Sequence, residues 1–239
     1  VALIFQPAEE NGGGGEVMVQ EGIMDRFAIA SVYGLHNVPG VPVGHFATRP
    51  GAIMASTSEF DITVTGRGGH AAHPNETVDP IVAGAQIVSA LQSIAARNAD
   101  PVESLVVSVT QFHAGDAYNV IPQTATIAGT VRALKPELAV LAEERLKALV
   151  TGLAQAHGAT ADIAYVTSYP VTVNHDAETA LAASVARAFA GDEQVRDDVP
   201  PTLGGEDFAF MLQARPGCFM YVGNGETAGL HHPEYDFND

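Results

Sequence analysis

The chain has 239 residues, 46% of them apolar and only 16% charged, enough for one large or two modest folded domains with a sizeable core. Eleven basic against 28 acidic side chains give a net charge of −17, which argues against a nucleic-acid partner and offers no basic face to an anionic membrane. A single cysteine excludes an intrachain disulfide and no apolar run is long enough for a membrane span, so the compartment stays open with cytoplasm favoured.

In chain order, Val1 to Phe5 reads as a core strand already under way. Pro7 cannot donate to a ladder and tends to end one, so Glu9 and Glu10 should sit just past that strand on backbone free to turn. No initiator methionine or signal peptide precedes the run, and no clear element closes the chain at Asn238-Asp239, so both ends are expected to be cut. The glycine run Gly12 to Gly15 lacks the Lys-Ser/Thr that follows the glycines of a phosphate loop. A short helix from Glu16 to Gly22 is expected next. An apolar strand from Ala28 to Tyr33 then ends at Gly34-Leu35-His36-Asn37, and Val38 to Gly51 reads as loop with one short strand.

The middle of the chain has a clearer rhythm. Phe60, Ile62 and Val64 alternate with Asp61, Thr63 and Thr65, the pattern of a half-buried strand. Gly66 to Pro74 reads as loop. A helix is expected from about Asp79 to Arg97, with Ile81, Ala85, Val88, Leu91 and Ala95 as its apolar stripe. Strands follow over Leu105 to Phe112 and Thr124 to Leu134, the second with Ile127 and Val131 on one face and Thr126, Thr130 and Arg132 on the other. Pro136 opens a helix to about His157, striped by Leu138, Ala142, Leu146, Leu149 and Leu153 and stopped by Gly158. Ala161 to Thr167 is a fourth strand. The order β-α-β-β-α-β is the ferredoxin-like split arrangement, so residues 57–168 are expected to form a compact insert.

Beyond it, Asp176 can cap a helix running to Phe189 and closed by Gly191, and Cys218 to Val222 reads as a strand with Cys218 as a buried small side chain. Strand, turn and helix alternate in residues 1–56 and 169–239, as expected of one α/β domain split by the insert.

Glu9, Glu10, His36 and His231 each fall at or beyond the C-terminal end of an apolar strand candidate, the edge where open α/β sheets bind ligands. Carboxylate and neutral imidazole suit zinc, manganese and similar divalent ions. A bare Glu-Glu pair is more often a solvated acidic turn, and a lone histidine more often a hydrogen-bonded loop residue. With two of each in equivalent places, a metal site and these plainer readings both stand. There is no Gly-x-Ser-x-Gly elbow, and Cys218 has no base near it in sequence.

Seven motifs fall in a familiar order: Gln6-Pro7-Ala8-Glu9-Glu10, Gly34-Leu35-His36-Asn37, Gly66-Arg67-Gly68-Gly69-His70-Ala71-Ala72-His73-Pro74, Asn119-Val120-Ile121-Pro122, Gly129-Thr130-Val131-Arg132, Gly204-Gly205-Glu206-Asp207-Phe208 and Leu230-His231-His232-Pro233. Over nearly its whole length the chain resembles the metal-dependent amidohydrolases and metallopeptidases that include hippurate hydrolase, aminoacylase-like N-acyl-amino-acid hydrolases and plant auxin-conjugate hydrolases. The resemblance implies a catalytic α/β domain with an inserted lid that serves dimerisation, two divalent ions (zinc, manganese, nickel or cobalt) and a small N-acyl amino acid as substrate. It implies Glu9 as general base, Glu10 as a metal ligand and His36 and His231 as further ligands, with His232 the alternative to His231. It also implies His70 as a donor reaching the active site of a dimer partner, Asn119 as an amide donor and Arg132 as a fork for the substrate carboxylate. An ion pair with an acid on its own sheet is the alternative for Arg132. Glu206-Asp207 would support the metal shell.

The family's upstream His-x-Cys-Gly-His-Asp motif has no counterpart in this sequence. The chain is therefore expected to be a fragment with at most three of the ligands, binding metal weakly and turning over little substrate by itself. A dipeptidase or carboxypeptidase of the same family and a non-catalytic dimerising module remain as alternatives.

Overall fold

The computed structural model describes residues 1–10 and 12–236; Asn238-Asp239, where the sequence shows no closing element, lie outside the described residues. The first flank contains helices α1 (Gly14–Gln20) and α2 (Ile23–Arg26) and strands β1 (Val32–Val38), β2 (Phe46–Ala47) and β3 (Gly51–Met54). The middle contains β4 (Ser56–Thr65), β5 (Gly69–His70), α3 (Pro80–Ser93), β6 (Leu105–Ala114), β7 (Val120–Ile121), β8 (Thr124–Ala133), α4 (Pro136–Ala156) and β9 (Thr160–Tyr169). The second flank contains β10 (Thr172–Asn174), α5 (Asp176–Ala190), β11 (Val195–Arg196), α6 (Phe208–Ala214) and β12 (Gly217–Gly223). The fold is mixed α/β, and it divides into two compact units, Val1–Ala55 with Tyr169–Asp239 and Ser56–Ser168.

In the middle unit the sheet order is β6-β8-β4-β9, with β8 antiparallel to both β4 and β6. Strict alternation on β4 buries Phe60, Ile62 and Val64, which pack with Ile127 and Val131 of β8 and with Ile87, Leu91, Leu146 and Val150 of α3 and α4. Asp79 caps α3 by accepting the Ile81 N–H at 2.8 Å, and Pro80 takes the first helical position, where no N–H is needed. A separate two-stranded ribbon pairs β7 with β5, which lies inside the Gly66 to Pro74 stretch expected to be loop.

The buried stripe of α3 is the expected one only in part: Leu91 is buried and Val88 and Ala95 pack against the core, but the first two expected positions do not. Ala83, Gly84, Ile87 and Leu91 face the core, whereas Ile81 is 39% exposed and Ala85 lies at the surface. The helix is apolar nearly all round its first turns, so periodicity does not select a face. Packing against the sheet does, and at Gly84 an added Cβ would lie 3.0 Å from the end of the Phe112 ring, which would have to give way.

In the flanking unit the sheet order is β1-β12-β2-β11, with β1 parallel to β12 and an antiparallel pair of β3 with β10 beside it. Val32, Phe208, Met211, Leu212 and Phe219 form one core cluster, and Ala183, Ala186, Val195 and Met220 form another under α5. Two strand expectations fail here. Val1 to Phe5 joins no sheet and leaves Val1, Leu3 and Phe5 exposed, since an apolar run becomes a strand only where a neighbour offers hydrogen bonds. Ala28 takes a left-handed φ of 49° and its N–H closes onto Asp25 O at 3.1 Å, finishing the helical turn, so the strand starts at Val32 and runs on through His36. Asp176 is the first residue of α5, with His175 at the cap position.

The buried face of α3 can be checked directly. Ile87→Ala is expected to cost roughly 2–5 kcal/mol, and Ile81→Ala less than about 1 kcal/mol, both read from urea midpoints. Equal losses would restore the stripe inferred from periodicity.

Candidate active site

Glu9 and Glu10 sit on a tight turn rather than at the end of a strand. Ala8 adopts a left-handed φ of 53°, and Gly12 N–H donates to Ala8 O at 2.9 Å. The Tyr169 hydroxyl donates to the carbonyl of Glu9, and the Gln6 side-chain amide donates to Asp207 and, at 3.3 Å, to Glu206. Sequence reasoning gave Gln6 and Tyr169 no role. Gln6 lies inside a quoted motif, but Tyr169 carries no local signal at all.

The turn sets Glu9 among other acids. Burial pushes the Glu9 carboxyl from an ordinary 4.5 to about 7, and the charges of Glu206, Glu10 and Asp207 add to the shift in that order. Glu206 and Asp207 are themselves buried, and desolvation raises both, partly offset at Glu206 by the Phe208 N–H and by His36. A carboxyl with a pKa near neutrality can take and release a proton at physiological pH.

The histidines are placed differently from one another. His36 lies inside β1, opposite Tyr221 in register, with its ring 6.1 Å from Phe219 and 6.5 Å from Tyr221. Its Nδ1 donates to Asn37 O at 2.6 Å, which leaves Nε2 as the nitrogen with a free lone pair. The expectation that Glu9, Glu10 and His36 share strand ends is thus corrected: two are on a turn that follows no strand, and the third is within one. His231 lies eight residues past β12 in a left-handed conformation (φ 64°), and its Nδ1 stands 3.7 Å from Glu10 Oε1. His232 is occupied locally, its Nδ1 accepting the Glu234 N–H at 3.1 Å.

Carboxylate and imidazole are the donor types that zinc or manganese takes. Glu10 and His231 bring one of each together. His36 does not join them: among the described residues no three His, Cys, Asp or Glu side chains form a group that could hold a metal ion. The donor chemistry fits a metal centre, and the number of assembled ligands falls short of one.

His70, Asn119 and Arg132 belong to the middle unit. His70 and Asn119 are neighbours on the β5–β7 ribbon, where His70 pairs with Val120 and the Asn119 carbonyl accepts the Ala71 N–H at 2.9 Å. Both side chains are exposed, and His70 Nδ1 accepts the Ala72 N–H at 3.1 Å. Arg132 is half-buried on β8, donating from Nε to Thr130 Oγ1 at 3.2 Å. Among the described residues it forms no ion pair, so the acid partner considered for it on its own sheet is not there. A further cavity of about 460 Å³ in the flanking unit, lined by Tyr33, Leu35, Phe46, Leu181, Val185 and Met220 among others, contains none of the candidate residues and almost no polar surface. Among the described residues no helix is long and apolar enough to cross a membrane.

The sequence model of peptidase family M20/M25/M40 matches residues 1–239. The chain is 37% identical over 239 residues to N-acetylcysteine deacetylase of Bacillus subtilis, covering 100% of this chain and 62% of that protein. It is 39% identical over 237 residues to hippurate hydrolase of Campylobacter jejuni, covering 99% and 62%. The chain thus spans less than two thirds of the length of these relatives. Its fold superposes with a TM-score of 0.81 and 30% identity on a Bacillus subtilis structure described as a dinuclear metal binding peptidase from the M20 family, over 98% of this chain and 58% of that one. Family match, identity and fold agree: the chain belongs to peptidase family M20/M25/M40.

Proposed function

We propose that this chain carries part of the active site of a metal-dependent amidohydrolase that cleaves the amide bond of N-acyl amino acids. The observation that carries the reading is the approach of Glu10 and His231 to 3.7 Å, next in sequence to a Glu9 carboxyl whose pKa is raised to about 7. Two relatives are named for N-acetylcysteine and for hippurate, both N-acyl amino acids, and that substrate class is carried over here.

Glu10, His36 and His231 would hold metal, and the remaining ligands of a two-ion centre would come from outside these residues. Bound divalent ions supply Lewis acidity and lower the pKa of water. Glu9 acts as the general base: it takes a proton from the attacking water and returns it to the leaving amine. His70 and Asn119, held on one ribbon, serve as donors to the developing oxyanion, a role worth roughly 10²–10³ in rate. Arg132, with its fork not engaged by an acid, binds the substrate carboxylate in bidentate fashion. The middle unit, residues 57–168, is read as a ferredoxin-like insert acting as lid and dimerisation domain between 1–56 and 169–239, and the protein as a homodimer.

Metal content tests the reading. After loading with manganese or zinc and desalting, a polypeptide extended upstream should retain about two ions, and the 239-residue chain fewer. Absence of metal from both would overturn the hydrolase assignment. In the extended, manganese-loaded protein, Glu9→Gln should lower kcat on an N-acetyl amino acid by roughly 10²–10⁴ with little change in KM.

The crowding around Glu9 also has a pH signature in metal-free protein. The folded carboxyl holds its proton to about pH 7 and the unfolded one releases it near 4.5, so the folded state binds the extra proton between those values. Stability contributed by Glu9 therefore falls as pH rises from about 4.5 to about 7 and stays low above that. Glu9→Gln should raise the urea midpoint at pH 8 and leave it nearly unchanged at pH 5. A larger gain at pH 5 than at pH 8 would contradict the sign.

A further inference from the structure

We infer that Gly14, Gly15 and the Asp207 carboxylate form a clamp on the turn that carries Glu9 and Glu10, with Asp207 as a positioning residue for both side chains. Asp207 is 0% exposed. Its Oδ2 accepts the Gly15 N–H at 2.7 Å and its Oδ1 accepts from Gln6 Nε2. Gln6 and Gly15 stand on opposite sides of Glu9-Glu10 in the sequence, so one buried carboxylate ties down both ends of the turn. Charge-assisted hydrogen bonds of this kind are strong, and a buried carboxylate left without them is costly. Neither end of the turn can therefore leave Asp207 cheaply.

The glycines make the approach possible. A Cβ on Gly14 would lie 1.9 Å from the carbonyl oxygen of Pro7, inside any allowed contact. A Cβ on Gly15 would lie 3.0 Å from the carbonyl oxygen of Asp207 and 3.1 Å from its carboxyl group. The chain folds back on Pro7 at Gly14, and the next N–H meets Asp207. Helix propensity does not account for two glycines in the first turn of α1, where glycine is unfavourable by roughly 1 kcal/mol each relative to alanine. The run thus has a purpose other than cradling a phosphate.

The benefit to catalysis rests on the function proposed above, but the clamp does not. It is tested on the metal-free 239-residue chain by amide hydrogen exchange, with Gly12 as reporter. The Gly12 N–H bonds to Ala8 O inside the turn and touches none of the substituted side chains. Asp207→Asn and Gln6→Met should each speed Gly12 exchange, by roughly ten- to a hundredfold for the loss of a charge-assisted bond. Amides in the core of the middle unit, such as Ile87 and Leu146, should keep their rates. The double variant should be faster than Asp207→Asn, because in that single variant the asparagine oxygen can still accept one bond and Gln6 keeps its 3.3 Å contact with Glu206. Gly15→Ala should loosen the same amide without altering any charge. Unchanged Gly12 exchange in these variants, or acceleration spread over the whole chain in step with the urea midpoint, would overturn the clamp. Neither result depends on metal or substrate, so failure of the clamp and failure of the hydrolase reading are separately visible.

Discussion

Burying two adjacent carboxylates is the constraint on which the flanking unit turns. Glu206 and Asp207 lie out of water, and their oxygens must find donors or lose their charge. The Phe208 N–H at the start of α6 supplies one, and the others come from Gln6 and Gly15 some 190 to 200 residues earlier. The acids therefore hold the beginning of the chain to α6, and the Glu9-Glu10 turn stays where burial first and then the neighbouring carboxylates raise the proton affinity of Glu9. One set of contacts serves packing and chemistry together.

The parallel pair of β1 and β12 divides its neighbours by alternation. Leu35 lines the apolar cavity with Met220, while His36 lies against the rings of Phe219 and Tyr221. The imidazole is thus half-buried beside two aromatic rings, with one nitrogen committed to a backbone carbonyl. His231 is the opposite case. It is 72% exposed and held near Glu10 by a left-handed backbone with little packing behind it.

How much of this could be read from the sequence depended on the range of the contacts. Phe60-Ile62-Val64 and the stripe of α4 are local patterns, and the elements they foretold are present with Leu138, Ala142 and Leu146 buried. The face of α3 was only partly legible because Ile81, Val82, Ala83 and Ile87 offer apolar groups in several directions, and packing in the core of the middle unit decides among them. Val1 to Phe5 has the composition of a strand, but pairing is a property of two segments. The four acids and His36 came from motifs. Their joining through Gln6 and Gly15 could not, since hydrogen bonds across about 200 residues leave no periodicity behind.

The interleaving of the two units also orders events during synthesis. Each sheet strand of the first flank has its partner in the second: β1 with β12, β2 with β11 and β12, β3 with β10. The middle unit is one continuous stretch whose strands and helices find each other locally. On a ribosome it can close as soon as β9 emerges, whereas β3, β2 and β1 meet these partners only afterwards and in turn, as β10, β11 and β12 are made. The flanking sheet therefore completes itself second, after the middle unit has had time to fold.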